Sequence, residues 1–469
     1  MRNAHPLYMC FPSVAVVGEY LDITIFPRDI SRVFREDKEY ELNIMGIRID
    51  EKDYHDPLKY DHPCRVEDGC LHFSCIFDYE QEYVIRFREK GKKETKVTMY
   101  AVADDLYERR PLKGDLHAHS YYSDGHDGVA MIPANYREEG FDFFALTDHN
   151  RMFTSEMAIE LYKDIPLGMH IMKGEEVHTP DSQLHIVHVG GKNSICDKYI
   201  HDRDTYEAEV AEIEKQMEHI PELYRRRVAQ AKWVCEQAHK EKGIAIFAHP
   251  FWQPRRYNVS AIFAKLLFGE KMFDAFELMG GISARCNNQQ LALWMEERMK
   301  GNELPVVGSS DSHNHDFERD VFGRRFTIVF AKKNTTKAIL EAIKEGYCVA
   351  GELPMNDDEE VRFYGTNLRF VLFAHFLFQN YFNETWRLCV GEGILMRRYA
   401  QGEPVGKQLA ACEKTVENFY KQYFGYEPAP SITPERMAFL DKCLDLQRNR
   451  GPITYGTTLY IYGGNERRE

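Results

Sequence analysis

KGDLHAHSYYSDGHDGVAMIPANYREEGFDFFALTDHN, residues 113–150, decides how the chain reads. Leu112 to Leu116 is an apolar run expected to be a short strand, and His117 and His119 follow it two residues apart. On an extended backbone such a pair leaves one face, which is a chelating arrangement. Asp124 precedes Gly125, so a turn can fold its carboxylate back toward the two imidazoles. A second apolar run, FDFFAL, leads into Asp148 and His149.

A lone HxH is weak, because 19 histidines in 469 residues supply about one by chance, and a second stands at His313 and His315. Repetition is the stronger signal. MHIMKGEEV, QLHIVHVGG, GIAIFAHP and LPVVGSSDSH repeat the architecture of FDFFALTDHN, a short apolar run ending in His, Asp or Glu. Where strands alternate with helices around a barrel, their carboxyl ends converge on one mouth, so donors distant in sequence can meet. The candidates are His117, His119, Asp124, His149, Glu176, His185, His249, Asp311 and His313, six imidazoles and three carboxylates. A divalent ion takes about four donors including water, so this set suits two or three ions that share groups.

Outward from that stretch, residues 111–352 alternate apolar runs with amphipathic helical segments, the pattern of βα units in a mostly parallel sheet or barrel. Ala229 to Lys242, ended by Gly243, is an expected helix, and GIAIFAHP the buried strand after it. The charged segment 196–229 reads as a solvated helix pair. Residues 1–110 carry strand-like runs at Val14–Phe26, Leu71–Phe77, Tyr83–Phe87 and Val97–Val102, with hairpin tips at Glu67-Asp68-Gly69 and Gly91-Lys92-Lys93, implying an antiparallel β domain. Residues 353–469 open on an acidic loop, Asn356–Glu360, continue as an aromatic-rich helical region and end in a strand-like tail, Ile453–Tyr462.

A net charge of -14 argues against a protein that coats long nucleic acid, since that affinity rests on Lys and Arg. Eleven cysteines without a CxxC pair read as reduced thiols, and no run approaches the ~20 apolar residues of a membrane helix. A cytoplasmic location, with no membrane partner, is the expectation. P-loop, Rossmann and GxSxG signatures are missing, so nucleotide cradling by a glycine loop and serine catalysis are not expected.

HAH with SDG close behind, TDHN, GEEV, LHIVHV, FAHP and SSDSH, in this order, resemble the motifs of the PHP (polymerase and histidinol phosphatase) family over about residues 111–350. The resemblance implies a distorted seven-stranded βα barrel, here flanked by the N-terminal β domain and the C-terminal helices. It also implies two or three divalent ions, Zn, Mn or Fe, and hydrolysis of phosphoesters. It makes the nine residues above the ligands and catalytic centre. Family spacing selects Glu176 over adjacent Glu175, and His185 over His188. The chain departs from the family at Ser309, where glycine is usual, and in the long segment after His185.

Three carboxylates against two or three divalent ions leave the site net positive and able to draw a phosphate, with metal-coordinated hydroxide as nucleophile. The expected substrate is a small phosphorylated metabolite or nucleotide. Alternatives are 5′–3′ exonuclease action on short oligonucleotides and a non-catalytic, metal-containing binding module. Arg151, Arg255, Arg256 and Arg324 are the candidate phosphate-binding side chains. His126, His178, His188 and His315 are expected to support the ligands or face solvent, Asp148 to hold an imidazole or the loop, and Glu277 to hold a site residue.

Overall fold

The structure is a computed structural model that describes residues 7–47, 59–180, 182–253, 255–256, 259–315, 321–354, 360–450, 453–455 and 458–460. Apart from Glu360, the acidic loop expected at Asn356–Glu360 lies outside the described residues. By contacts the chain divides into two compact units, Asp104–Tyr420 and Arg2–Ala103 with Lys421–Glu469. The boundaries expected at 110 and 352 do not coincide with this division.

In the second unit the strands are β1 (Tyr8–Phe11), β2 (Val14–Val16), β3 (Tyr20–Pro27), β4 (Tyr40–Gly46), β5 (Arg65–Glu67), β6 (Cys70–Ile76), β7 (Gln81–Glu89) and β8 (Thr95–Val102). They form two four-stranded sheets, ordered β1-β3-β6-β5 and β2-β8-β7-β4. Ile23, Ile25, Leu71 and Phe73 of one sheet and Leu42, Ile85, Phe87 and Met99 of the other share one core, which makes a β sandwich. All pairings are antiparallel except β2 with β8. Asp68 (φ 48°) and Gly69 (φ 73°) link paired Glu67 and Cys70, the two-residue turn whose positive φ angles match the twist of a hairpin.

The first unit is mixed α/β. Its strands are β9 (Arg110–Asp115), β10 (Phe143–Ala145), β11 (His170–Met172), β12 (Gly174–His178), β13 (His185–Val189), β14 (Ile244–Phe247), β15 (Ala275–Met279), β16 (Val306–Gly308), β17 (Arg325–Ala331), β18 (Cys348–Glu352) and β19 (Arg362–Tyr364). One sheet runs β11-β10-β9-β17-β18-β19 and the other β12-β13-β14-β15-β16. Leu112, Phe143 and Val329 of the first pack in one core with Val187, Ile246, Ala275 and Val307 of the second.

The mixed α/β class is as expected, and no closed barrel is found among the described residues. β12, β13 and β14 pair antiparallel, and β17 takes the other edge of β9, so the seams between the sheets carry only the single bridges Ala118–Ser312 and His149–Glu176. The charged segment forms helices 196–201, 203–215 and 222–240, the last beginning before the expected Ala229. Helix 383–400 stays in this unit because Glu392 pairs with Arg137 of helix 132–138, Nε to Oε2 2.7 Å, with both side chains fully buried. Among the described residues no helix is long and apolar enough to cross a membrane.

Candidate metal centre

Most of the candidate ligands lie on the loop that follows a strand, while Glu176 sits within β12 and His185 opens β13. His117 and His119 follow β9, His149 follows β10, His249 follows β14, and Asp311 and His313 follow β16. The antiparallel register of β12 and β13 places His178 opposite His185 and Glu175 opposite His188. Side chains alternate along a strand, so Glu176, His178 and His185 share one face while Glu175 and His188 share the other. On that other face His188 Nδ1 lies 3.0 Å from Glu175 Oε1, and Ser194 Oγ donates to Glu175 Oε2 at 2.7 Å.

Glu176 is the hub. Its buried carboxylate is approached by His149 Nδ1 and His185 Nδ1, both at 2.7 Å, His249 Nε2 at 3.2 Å, His117 Nε2 and His119 Nε2, both at 3.4 Å, and His178 Nε2 at 3.7 Å. Asp311 faces His119 Nε2 at 3.0 Å and His117 Nε2 at 3.2 Å. Asp124 faces His149 Nε2 at 3.2 Å and His313 Nε2 at 3.3 Å. All nine candidates therefore stand in one cluster. Its floor, His117, His119, Glu176 and His249, is buried, while the side chain of Asp124 is 54% exposed and gives the cluster an open mouth.

Three acidic side chains fix the scaffold beneath. Glu277 Oε2 lies 2.8 Å from His117 Nδ1 and so turns His117 Nε2 toward Glu176 and Asp311. Asp115 accepts from the backbone N–H of His117 and Ser310, each at 3.1 Å, and ties the HAH segment to the segment that carries Asp311. Asp148 accepts from Ser120 N at 2.7 Å and from Ser123 Oγ at 2.5 Å, and so holds the turn before Asp124. Asn150 (φ 54°) and Asp311 (φ 50°) adopt left-handed backbone, which short polar residues tolerate best.

The donor set fits divalent cations. His117 Nε2, His149 Nδ1, His178 Nε2, His185 Nδ1 and Glu176 Oε2 are buried without a hydrogen-bond partner, although several lie within 3.4 Å of one another. Close approach without hydrogen-bond geometry is what ligands directed at a shared ion show, and a buried polar atom without a partner is costly. His119, Asp124, His149 and His313 bring ligand atoms within 4.8 Å of one another, as do His117, His119 and Glu176, and Glu176, His185 and His249. Imidazole and carboxylate donors of this kind suit divalent metal ions.

The electrostatics separate the acids from the imidazoles. Burial alone would raise Glu176 and Asp311, but neighbouring imidazoles, His185 and His117 foremost for Glu176 and His117 for Asp311, hold both well below the usual carboxylate range. Burial opposes the charging of His149, yet Asp124 and Glu176 carry it up to about 10, whereas burial takes His185 down to about 4. Ionised carboxylates and a neutral His185 suit coordination, whereas His149, like His117 and His249, which the neighbouring acids raise against burial, must release a proton to take an ion.

Among the candidate phosphate-binding residues, Arg151, Arg255 and Arg256 are exposed, and Arg324 donates from Nη1 to the carbonyl of Pro354 at 2.9 Å. Two further side chains join the cluster. His178 does so through its strand face, a signal present in the i, i+2 spacing from Glu176. Trp252, three residues after His249, sets its ring 5.9 Å from that of His185 and 6.0 Å from that of His249.

No family model matches the chain. Over 295 residues it is 26% identical to the DNA polymerase/3′-5′ exonuclease PolX of Bacillus subtilis, covering 57% of this chain and 46% of that protein, so it spans less than half of that relative's length. Solved structures similar to it include a two-domain protein from Bacteroides vulgatus containing a predicted PHP-like metal-dependent phosphoesterase (20% identity, 52% of this chain, 65% of that one, TM-score 0.36). Another is a proposed metal-dependent phosphoesterase from Bifidobacterium adolescentis (17% identity, 43% of this chain, 88% of that one, TM-score 0.31). The Bacteroides vulgatus protein thus carries the family name whose motifs residues 111–350 resemble.

Proposed function

We propose that the chain is a metal-dependent phosphoesterase acting on a small phosphorylated metabolite or nucleotide. The observation that carries the reading is the convergence of six imidazole nitrogens on the Glu176 carboxylate, with Asp311 and Asp124 alongside. Two or three divalent ions would supply a lowered pKa for a bound water and neutralisation of phosphoryl charge. His117, His119, Glu176 and Asp311 would hold the buried side of that centre, Glu176, His185 and His249 a second position, and Asp124, His149 and His313 the open side. Glu277 orients His117, and the exposed mouth at Asp124 admits the phosphate. We read β9, β10 and β12 to β16 as a distorted, incompletely bonded ring of seven strands, supported by the two single bridges. Arg151, Arg255 and Arg256 are proposed to meet the substrate's phosphate near that mouth.

Hydrolysis of short oligonucleotides is the second reading, favoured by the similarity to a protein named for exonuclease activity. The test is a screen over sugar phosphates, histidinol phosphate, nucleotides and short oligonucleotides, with Mn, Zn or Fe added, beside His117→Ala. At least one phosphoester is expected to be hydrolysed, with activity abolished by a chelator and lowered about a hundredfold or more in the variant. Equal rates for wild type and variant would contradict the proposal. Bound metal without any hydrolysis would point instead to a binding module.

A further inference from the structure

We propose that His178 is a tenth metal donor of this centre, making with Glu176 and His149 an ion position that the nine residues in the resembled motifs do not provide. The inference rests on the metal-centre reading above and goes beyond it in the number of donors. The imidazole is built into the site from several sides. Its backbone N–H donates to Asn150 Oδ1 at 2.8 Å, and its carbonyl accepts from Tyr199 OH at 2.7 Å. Its ring stacks on that of His185, with centroids 3.8 Å apart and planes 20° from parallel, and lies 4.4 Å from the ring of His149.

That placement leaves Nε2 buried, without a hydrogen-bond partner, and 3.7 Å from Glu176 Oε2. His178 Nε2 and atoms of Glu176 and His149 lie within 4.8 Å of one another. Two donors on one tetrahedral ion at about 2.1 Å sit about 3.4 Å apart, so the spacing needs only a small adjustment to take one. A histidine kept only for packing would be expected to give Nε2 a protein hydrogen-bond partner, because an unsatisfied buried nitrogen costs about 1–3 kcal/mol.

The experiment uses the full chain, stripped of metal and reconstituted with Zn(II) or Mn(II). Metal equivalents are counted by mass spectrometry of the dialysed protein, and dissociation constants are taken by chelator competition. Wild type, His178→Ala, His117→Ala and the exposed neighbour variant His126→Ala are compared, with the melting temperature of each metal-free form as a check on folding. His178→Ala is expected to lose one equivalent or to bind its weakest ion at least about tenfold less tightly. His126→Ala should match wild type, and the metal-free forms should melt together. Unchanged stoichiometry and affinity in His178→Ala, with metal lost in His117→Ala, would overturn the inference and leave the phosphoesterase reading standing. A wild type that binds no divalent ion would overturn both.

Discussion

At the scale of single residues, the centre depends on side chains that touch no reacting group. Glu277 fixes the ring of His117 through a 2.8 Å contact at Nδ1, and partners of this kind typically contribute 10–100-fold to metal affinity. Glu277→Gln should therefore weaken binding of the tightest divalent ion by about that factor in chelator competition, and unchanged affinity would show that His117 needs no such partner. His170, outside the cluster, offers a pH test. Burial lowers its pKa, so the folded chain resists its protonation. The stability it contributes is present above the unfolded value of about 6.5 and is lost as pH falls through the folded one. His170→Gln, whose amide can serve the Thr336 hydroxyl, should lose less stability than wild type between pH 7.5 and 5.5 in urea titrations. Much of this scale was legible in the sequence, because strand-end donors are local patterns. The choice of Glu176 over Glu175 came from family spacing; in the structure the register sets Glu175 against His188, on the face away from the cluster. His178 was read only as a supporting or surface group, because its stacking on His185 depends on the partner strand.

Elements matter here through close approach. A Cβ on Gly281 would stand 1.7 Å from the carbonyl oxygen of Ser310, the residue before Asp311. Gly281→Ala must push back the segment that carries Asp311 and His313, and is expected to cost about 1–3 kcal/mol and to weaken metal binding along with it. Gly391, exposed in helix 383–400, has nothing within 4 Å of the same added atom. Gly391→Ala should raise stability by about 0.5–1 kcal/mol with metal affinity unchanged, since alanine is the better helix former. Thermal or urea unfolding of both variants checks the contrast. The sequence showed most of these elements and less well their ends. Val14–Phe26, read as one run, is broken into β2 and β3 around Gly18, whose φ of 80° turns the chain.

For the whole molecule, what the sequence withheld was pairing at long range. Apolar runs of similar composition do not reveal that β12, β13 and β14 alternate in direction, or that β17 rather than β16 takes the free edge of β9. Nor did the aromatic pattern of the C-terminal helices show that Glu392 would meet Arg137 across 255 residues. The convergence of nine side chains survived these gaps because seven of them lie on loops that follow strands, and the other two, Glu176 and His185, share one face of paired β12 and β13. The most direct test of the central claim is anomalous diffraction from crystals of the full chain grown with Mn(II) or Zn(II). The account predicts two or three anomalous peaks among Glu176, Asp311, Asp124 and their imidazoles. A map with no peak there, at metal concentrations that load other sites on the protein, would contradict it.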